Sequence, residues 1–401
     1  MKKDAQIIRE LAKEYMAFYW SEKQQKAIRR MRDTNDLKIV RPPVLIDEIP
    51  WGELTDDKGT VCVCEDGRAR AVEAELRGAI WRHKNLHCDV LMTPYWKINQ
   101  AIDRTPLGLE RKETVSGVQS RSFEDVMEDE ACLGQILPAE FTLRPDLDER
   151  NLSYYTDLFG EAMPVKLVGV RHFSAAPWDD ISFLRGVEPI YEDMYERPEY
   201  LHQIMEIFSK RTMAWMDFVE ANAHVDNDPY KLHCTPAVIS GLAEDGLKAT
   251  WFRGMAQPFS CVSPALWKEF EFDYMKPIAE RCAYTYYGCC EPLDTRLEML
   301  KELKNLRKVG VSPWANVELC AEQLGGNYVY ARKPSPSLVA IKTDPEAVRK
   351  ETETAVKACI RNGCPAEFVL KDITTVSGNP DNLKIWAETV SEVLDRYYGK
   401  E

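Results

Sequence analysis

No run of apolar residues in this chain approaches the roughly 18–20 needed to cross a bilayer. The amino-terminal stretch MKKDAQIIRELAKEY carries two lysines but no apolar signal core, so a cytoplasmic protein is expected. Positive charge is in deficit: 52 Lys and Arg against 65 Asp and Glu give a net −13. That balance excludes a nucleic-acid backbone or an anionic membrane as the main partner. The 12 cysteines fall without regular spacing, which implies reduced thiols and not a disulfide framework. There is no low-complexity segment and no repeat of solenoid length.

What is present is ordinary for a folded enzyme. The chain has 401 residues, 45% hydrophobic and 29% charged, enough for one large α/β barrel or two common domains. Its central stretch is Tyr284 to Asp294, YTYYGCCEPLD. A β-rich run meets two adjacent cysteines, a carboxylate and a proline, and a helix follows. LRKVGVSP (306–313) repeats the scheme, as do NYVYARKPSP (327–336) and residues 367–370 before Lys371-Asp372. Upstream, Val44-Leu45-Ile46 reads as a first strand ending in Asp47-Glu48. Residues 89–92 read as a second, ending in Thr93-Pro94-Tyr95-Trp96. Residues 165–170 read as a third, ending in Arg171-His172-Phe173, and 247–252 as a fourth, ending in Arg253-Gly254. Helical periodicity covers 3–33, 67–84, 147–160, 199–222 and the end of the chain. Eight strands, each followed by helix, predict a (β/α)8 TIM barrel. The expected organisation is a helical N-terminal extension at 1–40 and a barrel over 41–401. An insertion after strand two, at 103–145, is expected to form a lid or hairpin.

Several segments resemble the uroporphyrinogen decarboxylase superfamily, which also contains the cobalamin-dependent methyltransferases. They are APWDDISFLRGVEPIYEDMYERPEYLH (176–202), SPALWKEFEFDYMKPI (263–278), ANVELCAEQLGG (315–326) and NPDNLKIW (379–386). The similarity is ordered along residues 160–395. It implies a (β/α)8 barrel with its site at the carboxyl end of the strands. True decarboxylases of the family hold substrate carboxylates with an arginine-rich segment after the first strand. Here that place reads Ile46-Asp47-Glu48-Ile49-Pro50-Trp51, without arginine. The resemblance therefore points to the methyltransferase branch: methyl transfer between a small methylated or methoxylated compound and a separate corrinoid protein. No Asp-x-His-x-x-Gly stretch for a corrinoid of its own occurs. That branch binds zinc through His-x-Cys after strand five and a cysteine near strand eight. Here those positions read Tyr287-Gly288-Cys289-Cys290 and Lys371-Asp372. Family members are often homodimers.

The strand ends supply the candidate site residues. Zinc takes thiolate, imidazole and carboxylate ligands, and Cys289, Cys290, Glu291 and His233 are the expected set, with His172 and Cys234 as further donors. Alternation along a strand predicts that only one of the two cysteines faces the site. The competing reading makes both small buried apolar residues. Asp47, His172 and Glu291 are candidates for proton transfer. Arg171, Arg253 and Lys333 are candidates for a substrate carboxylate, Trp314 for stacking, and Asn316 for a polar contact. The rival activity is decarboxylation of a small acid or tetrapyrrole, with Asp47 inward and Arg171, Arg253 and Lys333 as a cationic clamp. A third reading is a barrel that binds a small ligand without catalysis.

Overall fold

The strands form where β-branched and aromatic residues cluster between turn residues. In most of them the side chains are buried on both faces, as in a parallel sheet covered by helices. In the computed structural model, residues 2–54, 59–116 and 120–400 are described. Residues 117–119 of the expected insertion lie outside them. Nine strands matter here: β1 Val44–Ile46, β2 Trp96–Asn99, β3 Val165–Val168, β4 His172–Ala175, β5 Trp251–Gly254, β6 Tyr284–Tyr287, β7 Leu306–Val311, β8 Val329–Arg332 and β9 Ala366–Leu370. Seven of them make one sheet in the order β1-β9-β8-β7-β6-β5-β4, every pairing parallel. Strands β2 and β3 pair with each other, separately and also in parallel.

The sheet thus follows the strand order of a (β/α) barrel, but among the described residues its ladder is open between β1 and β4. The fold is α/β and compatible with a TIM barrel, but among the described residues the expected eight-stranded ladder does not close. The expected second strand at 89–92 does not form: Asp89 N donates to Val44 O of β1 at 2.6 Å, but side chains take up the backbone on either side of Leu91 and Met92. Gln24 Nε2 donates to Val90 O at 2.6 Å, and Thr93 N donates to the Tyr15 hydroxyl at 3.1 Å. Asp89 does the reverse, its carboxylate accepting from Val44 N at 2.9 Å while Arg30 pairs with it at 2.6 Å. The expected third strand divides in two. A Cβ at Gly169 would lie 2.1 Å from His224 O, and Val170 N donates to that same carbonyl at 2.8 Å. The backbone crosses there, so Val165–Val168 joins β2, and His172 opens β4.

The amino-terminal helices Lys2–Tyr19 and Glu22–Asn35 meet at Ser21, which caps the second by accepting from Gln24 N. The first packs on helices Gly67–Asn85 and Pro145–Phe159. The 103–145 segment forms two antiparallel strand pairs. It is tied to the helices of 177–222 through Arg185 with Asp125, Tyr200 OH with Met127 O, and Val126 N with Leu184 O. Ser263 and Pro264 begin a helix as their types predict, with Ser263 accepting from Leu266 N.

A short hairpin, Lys231–Leu232 against Thr235–Pro236, is pinned to the inside of the sheet. Lys308 of β7 donates to Glu367 of β9 at 2.8 Å, to Thr235 Oγ1 at 2.6 Å and to Pro236 O at 3.2 Å. Thr235 in turn donates to Glu367. Both charges are fully buried and satisfied only by each other and by the hairpin. That network fixes His233, at the hairpin tip, over the carboxyl end of the sheet.

Candidate functional site

Strand β6 ends at Tyr287, and Gly288 turns the chain with φ +107°. Its N–H donates to Gly254 O at 2.9 Å, and a Cβ there would lie 2.7 Å from Leu293 Cδ1. Only glycine fits both the conformation and the space. Past this turn the strand's alternation no longer applies. Cys289 and Cys290 therefore present their sulfurs to the same side, 3.7 Å apart, contrary to the expectation that they part to opposite faces.

Three other segments close on this pair. His233 Nε2 lies 3.4 Å from Cys289 Sγ. Lys371, just after β9, places Nζ 3.4 Å from Cys289 Sγ and 3.5 Å from Cys290 Sγ. The Cys290 thiol points at Asp372 Oδ2 at 3.0 Å, and Lys371 Nζ lies 2.7 Å from the same oxygen. Glu48, after β1, accepts from Asp372 N at 2.6 Å. Among the described residues five non-glycines have positive φ, and Glu48, His233 and Asp372 are three of them. Each such conformation costs on the order of 1–3 kcal/mol and persists where surrounding contacts enforce it, often at functional sites. Cys289 and Lys371 are buried, while Asp372 and Glu48 are exposed, so the site opens to solvent on their side.

The charges follow from these contacts. The Cys290 thiol, whose single proton lies between Cys289 and Asp372, holds Cys289 well below the ordinary thiol value. His233 and the Lys371 ammonium add to this and outweigh burial. With Cys289 ionised, His233 Nε2 is the donor. Cys290 is pushed up, first by its bond to Cys289 and then by burial, and stays a thiol. Burial opposes the charge on Lys371, yet Cys289 and Asp372 hold it above its usual value. Glu291 accepts from Cys289 N at 2.9 Å and Ala256 N at 3.3 Å. Burial, helped by the Cys289 charge, raises its carboxyl to about 7.

No family profile and no curated protein matches the chain. Among solved structures it is similar to a methyltransferase from Methanosarcina mazei, with a TM-score of 0.51 and 13% identity. The alignment covers 91% of this chain and 98% of that one. The likeness is one of fold.

Zinc does not suit the residues that gather here. Among the described residues, no three His, Cys, Asp or Glu side chains are placed to hold a metal ion. The point facing both sulfurs is taken by the Lys371 ammonium, and Glu291 spends its oxygens on backbone N–H groups. Cys289, Cys290, His233 and Glu291 do converge, but as a thiolate and its neighbours. Cys234 is buried at the hairpin.

Of the other candidates, Lys333 borders the site, since a Cβ at Gly310 would lie 3.0 Å from its Nζ and 3.3 Å from Gly288 C, while His172, Arg171, Trp314 and Asn316 make contacts of their own. His172 begins β4, at the amino end of the sheet, and stacks on Tyr230. Arg171 donates to Asn99 Oδ1 at 2.9 Å and lies over the same tyrosine. Arg253 contacts Met255 Sδ at 2.7 Å, and Lys333 donates to the Tyr286 hydroxyl. Asp47 pairs with Lys231, so the three cations form no clamp around it. Trp314 is 77% exposed and stacks on nothing recorded among the described residues. Asn316 caps the following helix, accepting from Leu319 N at 3.1 Å. Asp47 and Lys231 instead line a cavity of about 370 Å³ at the open side of the sheet, with Glu75, Arg82, Lys97 and Cys234. Sequence reasoning missed Lys371 and Asp372 as site residues, and of the carboxylate pair Asp47-Glu48 it settled on Asp47 where Glu48 reaches the site. Their place at predicted strand ends was the available signal.

Proposed function

We propose that this chain is a methyltransferase that moves a methyl group between a small methylated compound and a separate corrinoid protein, with Cys289 as the methyl carrier. The carrying observation is a buried cysteine sulfur, Cys289 Sγ, with the Cys290 sulfur at 3.7 Å and His233 Nε2 and the Lys371 ammonium each at 3.4 Å. Methyl transfer is a displacement at carbon. Cys289 Sγ forms a bond to the methyl carbon, and the bond from carbon to the leaving atom breaks with its electron pair going to that atom. A proton from the Lys371 ammonium or from protonated His233 neutralises it. Asp372, at the solvent side, stands where Lys371 is reprotonated. In the second half the sulfur is the leaving group. A thiolate held at low basicity is a poorer nucleophile but leaves faster, which suits a group that must accept a methyl and give it up. The corrinoid of the partner supplies a cobalt centre able to take or give the methyl. This chain's residues bind the small compound, hold the thiolate and deliver the proton.

The test is spectroscopic. Free methylcobalamin is mixed anaerobically with the protein and loss of its cobalt–carbon bond is followed. Wild type converts up to one equivalent per chain, Cys290→Ser less readily, and Cys289→Ser none. Equal conversion by Cys289→Ser and wild type overturns the reading.

A further inference from the structure

Two neighbouring thiols at the mouth of a site are more than a carrier needs. We infer that Cys289 and Cys290 form a reversible dithiol–disulfide couple, closed by a hydroperoxide and reopened by a small thiol, which switches the site off and on. The inference does not depend on the methyl-transfer reading.

The geometry has the parts such a couple requires. Cys289 Sγ has an ammonium and an imidazole each 3.4 Å away, the surroundings that make a cysteine react with peroxide. Cys290 lies 3.7 Å away, half-buried and still protonated, as a second sulfur must be to complete the reaction. Asp372 Oδ2, 3.0 Å from Cys290 Sγ, is placed to take its proton. Asp372 and Glu48 are exposed, so a molecule as small as hydrogen peroxide reaches the pair from solvent. Another neighbouring pair in the fold, Cys359 and Cys364, shows the contrast. Both are buried in the core, away from solvent, and the Cys364 thiol donates to Ala321 O at 3.2 Å.

The chemistry balances. Cys289 Sγ attacks one peroxide oxygen. A sulfur–oxygen bond forms, the oxygen–oxygen bond breaks, and the departing hydroxide takes a proton to become water. Cys289 is then a sulfenic acid. Cys290 gives its proton to Asp372 and attacks Cys289 Sγ. The sulfur–sulfur bond forms, the sulfur–oxygen bond breaks, and the hydroxide leaves with that proton as a second water. Two thiols are oxidised to one disulfide while the peroxide is reduced to two waters. The product is an eight-membered ring through the 289–290 peptide. Such a ring is strained relative to an ordinary disulfide, and strained disulfides are reduced readily. Gly288 before it and Pro292 after it bound the segment that must adjust.

The experiment is peptide mapping of the full chain. The folded protein is treated with stoichiometric hydrogen peroxide, unfolded in N-ethylmaleimide, and digested with chymotrypsin. Cleavage after Tyr287 separates the pair from Cys282. The expected peptide from Gly288 onward is lighter by two hydrogen atoms, carries no maleimide, and regains two maleimides after dithiothreitol. Cys290→Ser is the second arm. There Cys289 is expected to stop at the sulfenic acid and to be trapped by dimedone. If wild-type Cys290 instead takes up maleimide in full while Cys289 is oxidised, or if both cysteines remain alkylatable after peroxide, the couple does not exist.

Discussion

Cys289 Sγ and His233 Nε2 stand 3.4 Å apart although 56 residues separate them in the chain. The contact exists because the hairpin carrying His233 is bolted to the sheet interior by Lys308 and Glu367, and because Gly288 turns Cys289 inward. Removing the imidazole takes away one donor to the sulfur and one acid for the leaving atom. His233→Ala is expected to slow methyl transfer by about 10²–10⁴-fold, the range for a positioned acid or base. Single-turnover rates with methylcobalamin check this. A change under about threefold would remove His233 from the chemistry.

Lys371→Ala tests the ammonium. An opposite charge this close holds an ionised group down by about 1–3 pH units. The pH midpoint of Cys289 alkylation by iodoacetamide, read by peptide mapping, should therefore rise by that amount in the variant. An unchanged midpoint would mean that Cys290 and His233 alone keep the thiolate.

Stability against pH separates Glu291 from Cys289. The folded Glu291 carboxyl keeps its proton to about 7, while the unfolded group loses it near 4.5. In that window the folded state binds the extra proton, so this group makes stability fall as pH rises. Cys289 does the opposite. It is already a thiolate when folded and a thiol when unfolded, so its contribution grows with pH. Each slope is at most about 1.4 kcal/mol per pH unit, and in the wild type the two oppose each other. Urea midpoints from pH 5 to 7 should therefore rise with pH in Glu291→Gln and fall in Cys289→Ser, each relative to wild type. Parallel curves for all three proteins would contradict the assignment.

The buried pair beneath the hairpin makes a fourth demand. Lys308→Met leaves the Glu367 charge without its partner in the sheet interior, a loss of about 3–5 kcal/mol. Adding Glu367→Gln removes that stranded charge and should recover part of the loss. A double-mutant cycle in urea measures it. Additive losses would show that the two groups act independently.

How much of this the sequence discloses depends on how local each cause is. Cys289, Cys290 and Glu291 are legible because a β-rich run ends on them and a helix follows. The parallel sheet is legible from the same repeated unit. The missing second strand is not. Val90 to Met92 is as apolar as any true strand, and its backbone is taken up by Gln24 and Tyr15, contacts no local pattern reports. His172 was misplaced for a similar reason. The run from Val165 to Phe173 looks continuous, and only the close passage of His224 at Gly169 divides it. Lys371-Asp372 is visible at the end of β9 but registers there only as a lack of cysteine. That an ammonium occupies the place facing the sulfurs required the fold. The convergence of His233 rests on a hairpin with two residues in each strand, too short to leave a periodic signal.

The most direct test of the account is to find where the methyl goes. Wild-type protein is incubated with isotopically labelled methylcobalamin, quenched in acid, and mapped by chymotryptic peptides. The account predicts that the peptide beginning at Gly288 becomes heavier by one labelled methyl in place of hydrogen, at Cys289, and that the label disappears in Cys289→Ser. Label on no cysteine, or label that persists in Cys289→Ser, would contradict a methyl carrier at this position.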